Sequence, residues 1–367
     1  MVEQGKSITE NHLFSGNIFI FHAFDVGEDI NLEKIRHSGI ITPRSISLPK
    51  YFKNYHIPLA VELPNPPANN HCISAKIHNF GSISLTYKIP FTDSLNNIRK
   101  NLEKIDDYFQ EQSVVDAQSI FQHINSMILN PKFFQMTSSY VVIQVDPEPN
   151  VIDTVQLKEN FGSLIASTLR FETENLSEFQ KNEILASAIG YFRGDLMVID
   201  TEASFLYDAE YEEILDFFEF ANIQQLELRY FDRVLDQQLN IIYEDKVRSV
   251  PFSSYLPFIG MSTKSTVDEL GKLKVDISVI TERLEGSIKL GGEPYFSELY
   301  ALLVDKLDLK GWQEAVDKKL SIILDVRSVL QNKTDAIRED LLTVLIIILI
   351  FIELVVGLLN YATAGHH

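Results

Sequence analysis

The sequence predicts an α+β protein in three parts: an N-terminal mixed α/β domain over residues 1–208, a C-terminal long-helix domain over 209–338, and one C-terminal transmembrane helix with its flanks over 339–360. Three observations carry this. Short runs with an apolar period of two alternate with runs of helical period up to residue 208. Pro and Gly are absent from 209–248. An almost uncharged apolar run fills 341–359.

Taken in order, NIFIFHAF at 17–24 is rich in Phe and Ile and fits a strand. Gly27 marks a turn, and Asp29 is placed to cap a short helix over 32–37. Asn65, Pro66 and Pro67 mark a loop. Two strands follow at 71–78 and 82–89, broken at Asn79-Phe80-Gly81. In the second, Ile83, Leu85, Tyr87 and Ile89 alternate with Ser82, Ser84, Thr86 and Lys88, so one sheet face is expected to be buried and the other polar. Pro90 is expected to end that strand and Asp93 to cap a helix. Its stripe of Leu95, Ile98, Leu102, Ile105 and Phe109 runs to about residue 110. A strand at 140–145, a helix around Val155 to Ile165, a helix at 177–191 and two strands at 196–199 and 203–207 complete the first part.

Beyond Asp208 the apolar face of Ile214, Phe217, Phe218, Ala221, Leu226, Leu228, Phe231, Val234, Leu235, Leu239 and Ile242 predicts a long helix, whole or broken once. PFSSYLPFIG at 251–260 interrupts it. Further helices are expected at 266–288 and 293–307, with a loop at Gly291-Gly292 between them. The last helical region starts near Trp312 and would extend roughly 70 Å by Leu359, with Asn332-Lys333-Thr334 as a point of interruption. Its repeat is too irregular to define a coiled coil, although pairing between copies is expected.

LLTVLIIILIFIELVVGLL at 341–359 matches the roughly 20 apolar residues that cross a bilayer. It is apolar on every face, whereas a soluble helix keeps a polar side. Its one charge is Glu353, a group expected to face a protein partner or to fix helix association. Lys333 and Arg338 precede the run and no Lys or Arg follows it, which predicts the N-terminal bulk on the cytoplasmic side. The first residues, MVEQGKSITENHLFSGNIFIF, have neither the basic start and long apolar core of a secretory signal nor the pattern of a transit peptide.

The formal net charge is −19, from 51 acidic and 32 basic side chains, and no basic stripe offsets it. That field opposes nucleic-acid binding. One cysteine, Cys72, excludes an intramolecular disulfide and a multi-cysteine metal centre. No P-loop, dinucleotide fingerprint, HExxH or GxSxG motif occurs, so no catalytic residue, cofactor or metal site is assigned. Weaker constellations are Asp195, Asp200, Glu202, Asp208 and Glu210 as a divalent-cation cluster or a solvated rim, and Cys72 with His71 or His78 as a thiol–imidazole pair or simply a core cysteine. His22 lies in a strand as a core or edge residue. Phe217, Phe218 and Phe231 read as packing residues.

The run Glu293-Pro294-Tyr295-Phe296-Ser297-Glu298-Leu299-Tyr300, the helix around 320–330, Leu330-Gln331-Asn332-Lys333, the apolar run at 341–359, FHAFDVGEDINL and IHNFGSISLTYKIPF together resemble the YagE family, which includes the proteins required for meiotic nuclear division. The resemblance implies an α/β part, a helical part and a C-terminal membrane helix, with no agreed enzymatic activity. It carries no catalytic residue to this chain.

Three functions fit these observations. The first is a noncatalytic membrane-anchored scaffold or adaptor that self-associates through its long helices and binds a protein partner on the cytoplasmic side. The second is a component of an ion-transport assembly; the helical region looks superficially like the CorA magnesium transporter family, but that family has two membrane helices and a Gly-Met-Asn motif, and this chain has neither. The third is a metal-dependent hydrolase using the acidic set around Asp200 and Glu202.

Overall fold

A computed structural model describes residues 12–27, 29–45, 57–66, 68–133, 137–147, 151–192, 194–247 and 294–364. The interruption expected at 251–260, the helix expected at 266–288 and the loop at Gly291-Gly292 lie outside the described residues. The protein is α+β, with an N-terminal sheet flanked by helices and long helices towards the C-terminus. The chain divides into two compact units, Met1–Tyr230 with Ile280–Gln313, and Phe231–Val279 with Glu314–His367.

The first unit is built on an eight-stranded sheet. Its strands are β1 (Leu13–Asp25), β3 (Leu59–Ala60), β4 (Cys72–His78), β5 (Ser82–Ser94), β7 (Thr137–Val145), β8 (Ala188–Ile189), β9 (Leu196–Ile199) and β10 (Ala203–Tyr207), in the spatial order β3-β4-β5-β1-β7-β10-β9-β8. Every neighbouring pair is antiparallel except β7 and β10. Two short strands, β2 (Asp29–Ile30) and β6 (Ile128–Leu129), pair separately.

β5 does not stop at Pro90. It continues to Ser94, paired with β1 as far as Leu13. Its ladder to β4 ends at Tyr87, so the N–H that proline lacks is not called on from that side. The helix after it, α2 (Leu95–Ile124), is capped by Ser94, whose Oγ accepts from Asn97 N at 3.3 Å. Asp93 steadies the cap by accepting from Ser94 N and Asn97 Nδ2 rather than serving as the cap itself. α2 outlasts the expected end near 110 because Ala117, Ile120 and Ile124 extend its buried stripe. Each fully buried Leu or Ile of that stripe contributes about 1.5–3 kcal/mol over an exposed one.

Local chemistry sets other boundaries. α1 (Leu32–Ser38) is capped by Asn31, which accepts from Lys34 N, and not by Asp29, which lies in β2. α3 (Thr154–Leu169) is capped by Asp153. α4 (Glu178–Ala186) is shorter than the helix expected to residue 191, because Ala188 and Ile189 leave to pair with β9.

Side chains of β1 alternate between two covered faces. Ile18, Ile20 and Phe24 join the cluster that holds Leu102, Ile120, Phe161 and Ile165 of α2 and α3. Phe19 and Phe21 join Phe217, Phe218 and Ala221 of α5 (Glu212–Val247) and Leu299 and Leu303 of α6 (Pro294–Lys306). The expected boundary at Asp208 does mark the change from strand to helix, but α5 as far as Tyr230 packs with the sheet. The face of β5 expected to be polar is therefore covered too: Ser82, Ser84 and Thr86 are buried.

The second unit contains the later part of α5 and most of α7 (Leu309–Ala364). Leu235, Ile242, Val316, Leu320 and Ile323 are buried, and Lys319 Nζ lies 2.7 Å from both Asp232 and Asp236. α7 runs through Asn332-Lys333-Thr334 without the expected break.

Candidate functional site

Two features stand out from the packed interior: a polar seam between the sheet and α5, and the apolar C-terminal stretch of α7. The seam is set by register. Lys76 and His78 on β4 and Ser84 on β5 share the sheet face that α5 covers, and α5 presents Asp216, Glu219, Ile223, Leu226 and Glu227 at helical spacing. Lys76 Nζ bonds Glu219 Oε2 at 2.5 Å and lies 3.7 Å from Asp216. Ser84 Oγ donates to Glu219 Oε1 at 2.7 Å. His78 Nε2 is 3.0 Å from Ser84 Oγ, and since that hydroxyl's proton goes to Glu219, Nε2 carries the hydrogen.

Charge follows from these contacts. Burial opposes ionisation of both Lys76 and Glu219. The pairing outweighs it, so the ammonium sits above the ordinary lysine value and the carboxylate below the ordinary glutamate value. Burial holds His78 neutral, pulling it down to about 3. Farther along the seam, Asn222 Nδ2 donates to Ser138 O and Ser138 Oγ to Gln225 Oε1.

Asp25 and Glu227 form a second buried pair. Burial pushes Asp25 up to about 8, against the Gly27 N–H it accepts and the field of Lys132. Glu227 is pushed well above its ordinary value by burial and then by Asp25. Gly27 makes this corner possible. Its φ is +153°, and a Cβ there would stand 2.4 Å from Ile128 Cγ2.

The residues singled out from sequence fall in separate places. The acidic set is split by the β9–β10 hairpin: Asp195 and Asp208 flank one end, Asp200 and Glu202 the other. Asp200 is fully buried and paired with Arg170 through both oxygens. Asp195 and Asp208 accept the backbone N–H groups of Phe192 and Glu210. These five do not make one site. A register shift between Cys72 and Ser74 puts Cys72 opposite Tyr87, on the α2 face, and His78 opposite Ser82, on the α5 face. Cys72 Sγ donates to Ser74 O, and burial pushes its thiol up to about 12. His71 is tied to Lys88 O. His22 is fully buried against the Tyr87 ring and held down to about 4 by burial. Phe217, Phe218 and Phe231 are buried packing residues.

Lys76, Glu219, Asp25 and Glu227 escaped sequence reasoning. The available signal was an acid on an apolar stripe, since Glu219 and Glu227 share their helix face with Ile223 and Leu226.

In α7, Glu339–Gly357 is long and apolar enough to cross a membrane, with mean hydropathy 2.7 and none of the window buried. Leu342 through Val356 present large apolar side chains around the whole helix, Phe351 being 66% exposed. Glu353 lies within this run.

Fold and site define a class: an α+β protein with helices on both faces of a largely antiparallel sheet, a closed polar seam, and an exposed apolar C-terminal helix. Residues 15–213 match the family profile described as "Uncharacterized protein MJ0711, N-terminal domain", and the chain belongs to that family. It is 26% identical over 204 residues to "Uncharacterized protein MJ0711" of Methanocaldococcus jannaschii, an alignment covering 55% of this chain and 61% of that relative. The chain thus spans less than two thirds of that relative's length. No solved structure matches. This assignment overturns the expected YagE membership. Alternating strands and an apolar C-terminal helix are generic solutions to burying backbone and anchoring a chain, and they do not distinguish families.

Proposed function

We propose that this protein is a membrane-anchored, noncatalytic scaffold or adaptor that holds its α+β unit on the cytoplasmic side, binds a protein partner there and self-associates through its C-terminal helix. The observation that carries the proposal is the all-round exposure of large apolar side chains from Leu342 to Val356. Such a surface is costly in water and matched by a lipid interior. Lys333 and Arg338 before the run favour the cytoplasmic orientation. Self-association gives Glu353 a partner, since a polar side chain in a membrane helix is costly unless a neighbouring helix satisfies it.

Carbonate extraction of membranes from cells expressing the full chain tests the anchor. The protein should stay in the pellet, and a variant with Ile347→Lys and Ile350→Lys should move to the supernatant. Release of the unaltered protein by carbonate would refute the anchor. A role in an ion-transport assembly rests on Glu353 alone, and cation flux in liposomes carrying only this protein would favour it.

A further inference from the structure

A cleft of about 600 Å³ lies on the first unit between α2, Ile89 of β5 and the segment just before β4, apart from the polar seam. Its polar lining is Asn69, His71, Asn101 and Lys104, and its aromatic wall is Tyr108 with Phe109. The volume falls within the range of small-molecule sites.

Three features set this cleft apart. First, no lining side chain is acidic, in a chain whose formal net charge is −19. Second, among the described residues no carboxylate pairs with Lys104, so its ammonium is available to a ligand. Third, the aromatic wall is fixed in place but open. Phe109 is buried and stacks edge-on to both His71, at 5.7 Å, and Tyr108, at 5.1 Å, while Tyr108 itself stays 61% exposed. The polar groups are also held: His71 Nδ1 contacts Lys88 O, and Asn101 Nδ2 donates to Asn97 O.

We infer that this cleft binds a small aromatic anion, a planar ring bearing a phosphate or carboxylate, with Lys104 and the two asparagine amides on the anion and the ring against Tyr108. A cation and amide donors recognise an anionic group, and an exposed aromatic face recognises a planar one. The inference does not depend on membrane anchoring.

Equilibrium dialysis of the full chain in dodecyl maltoside micelles tests it, with phenyl phosphate as the probe and inorganic phosphate and benzyl alcohol as half-probes for the anion and the ring. Phenyl phosphate should bind saturably at one site per chain and more tightly than either half. Lys104→Ala should weaken it at least tenfold and Tyr108→Ala at least threefold. Lys100→Ala, one helical turn away and outside the lining, should change it less than twofold. Both Lys104 and Tyr108 are exposed, so neither variant threatens the fold, and thermal unfolding confirms that. Three outcomes would each overturn the inference: no saturable binding, equal losses at Lys104 and Lys100, or benzyl alcohol binding as tightly as phenyl phosphate.

Discussion

Lys76 on β4 and Glu219 on α5 meet at 2.5 Å although 143 residues separate them in sequence, and their side chains are only 12% and 9% exposed. A buried pair of this kind fixes which helix covers which strand, because either charge alone would be stranded without water. It fastens α5 to the far side of the sheet from α2.

Replacing Lys76 with Met should therefore destabilise the protein by about 3–5 kcal/mol, as expected when one partner of a buried ion pair is removed. Pairing Lys76→Met with Glu219→Leu should recover most of that loss. Urea unfolding of the full chain in micelles checks both variants. Equal destabilisation of the single and double variants would show that the ion pair is not what holds the seam.

Asp25 should make the fold weaker as pH rises. An ordinary aspartate ionises near 3.8, whereas this one holds its proton to about 8. Between those values the unfolded chain releases a proton that the folded chain keeps, so stability falls from about pH 4 to about pH 8. Asp25→Asn should reduce that decline, leaving the part due to Glu227, which burial raises in the same direction. The buried histidines act in the opposite sense. Their folded values, about 4 for His22 and about 3 for His78, lie below the ordinary 6.5, so their contribution is full above pH 6.5 and is lost as pH falls towards 4 and 3. Thermal unfolding from pH 4 to 9 resolves both effects.

Gly16→Ala should loosen the end of the β1–β7 ladder. Gly16 pairs with Val145, and a Cβ on it would stand 2.1 Å from Gln144 O, a backbone atom that cannot swing aside. Overpacking of a tight interior typically costs about 1–3 kcal/mol. A melting temperature unchanged from the wild type would show that β1 and β7 can separate freely at that point.

Glu353→Leu should lower the fraction of crosslinked dimer in membranes, and Glu353→Gln should preserve it, because an amide both donates and accepts hydrogen bonds and can pair with its own copy. Both variants should remain carbonate-resistant. Identical dimer yields for Glu, Gln and Leu would remove Glu353 from the association.

Strands β9 and β10 were legible to the residue, because polar turn residues bound two short apolar runs. The long α5 was legible from its unbroken apolar stripe. The ends of β5 and α2 were not. Pro90 usually stops a strand, and whether it does depends on a neighbour that only the folded sheet supplies. The serine face of β5 is polar, as its alternation predicts, but alternation says nothing of what lies across from it, and α5 covers it. Glu219 resembles any surface acid until α5 is laid over Lys76. The divalent-cation reading of the acidic set around Asp200 fails for the reverse reason, since closeness along the chain becomes opposite ends of a hairpin.

Pro90 also bears on how copies of this chain behave when crowded together. Past Lys88, whose N–H still bonds His71 O, β5 has β1 on one side and no strand of the β4 ladder on the other, the kind of open border along which foreign strands add and fibrils begin. A proline in the middle of that border removes a donor from the row and spoils it as a template. The outermost strands, β3 and β8, are only two residues long. Two 13-residue strands can therefore sit at the heart of the sheet without giving aggregation a long edge to grow from.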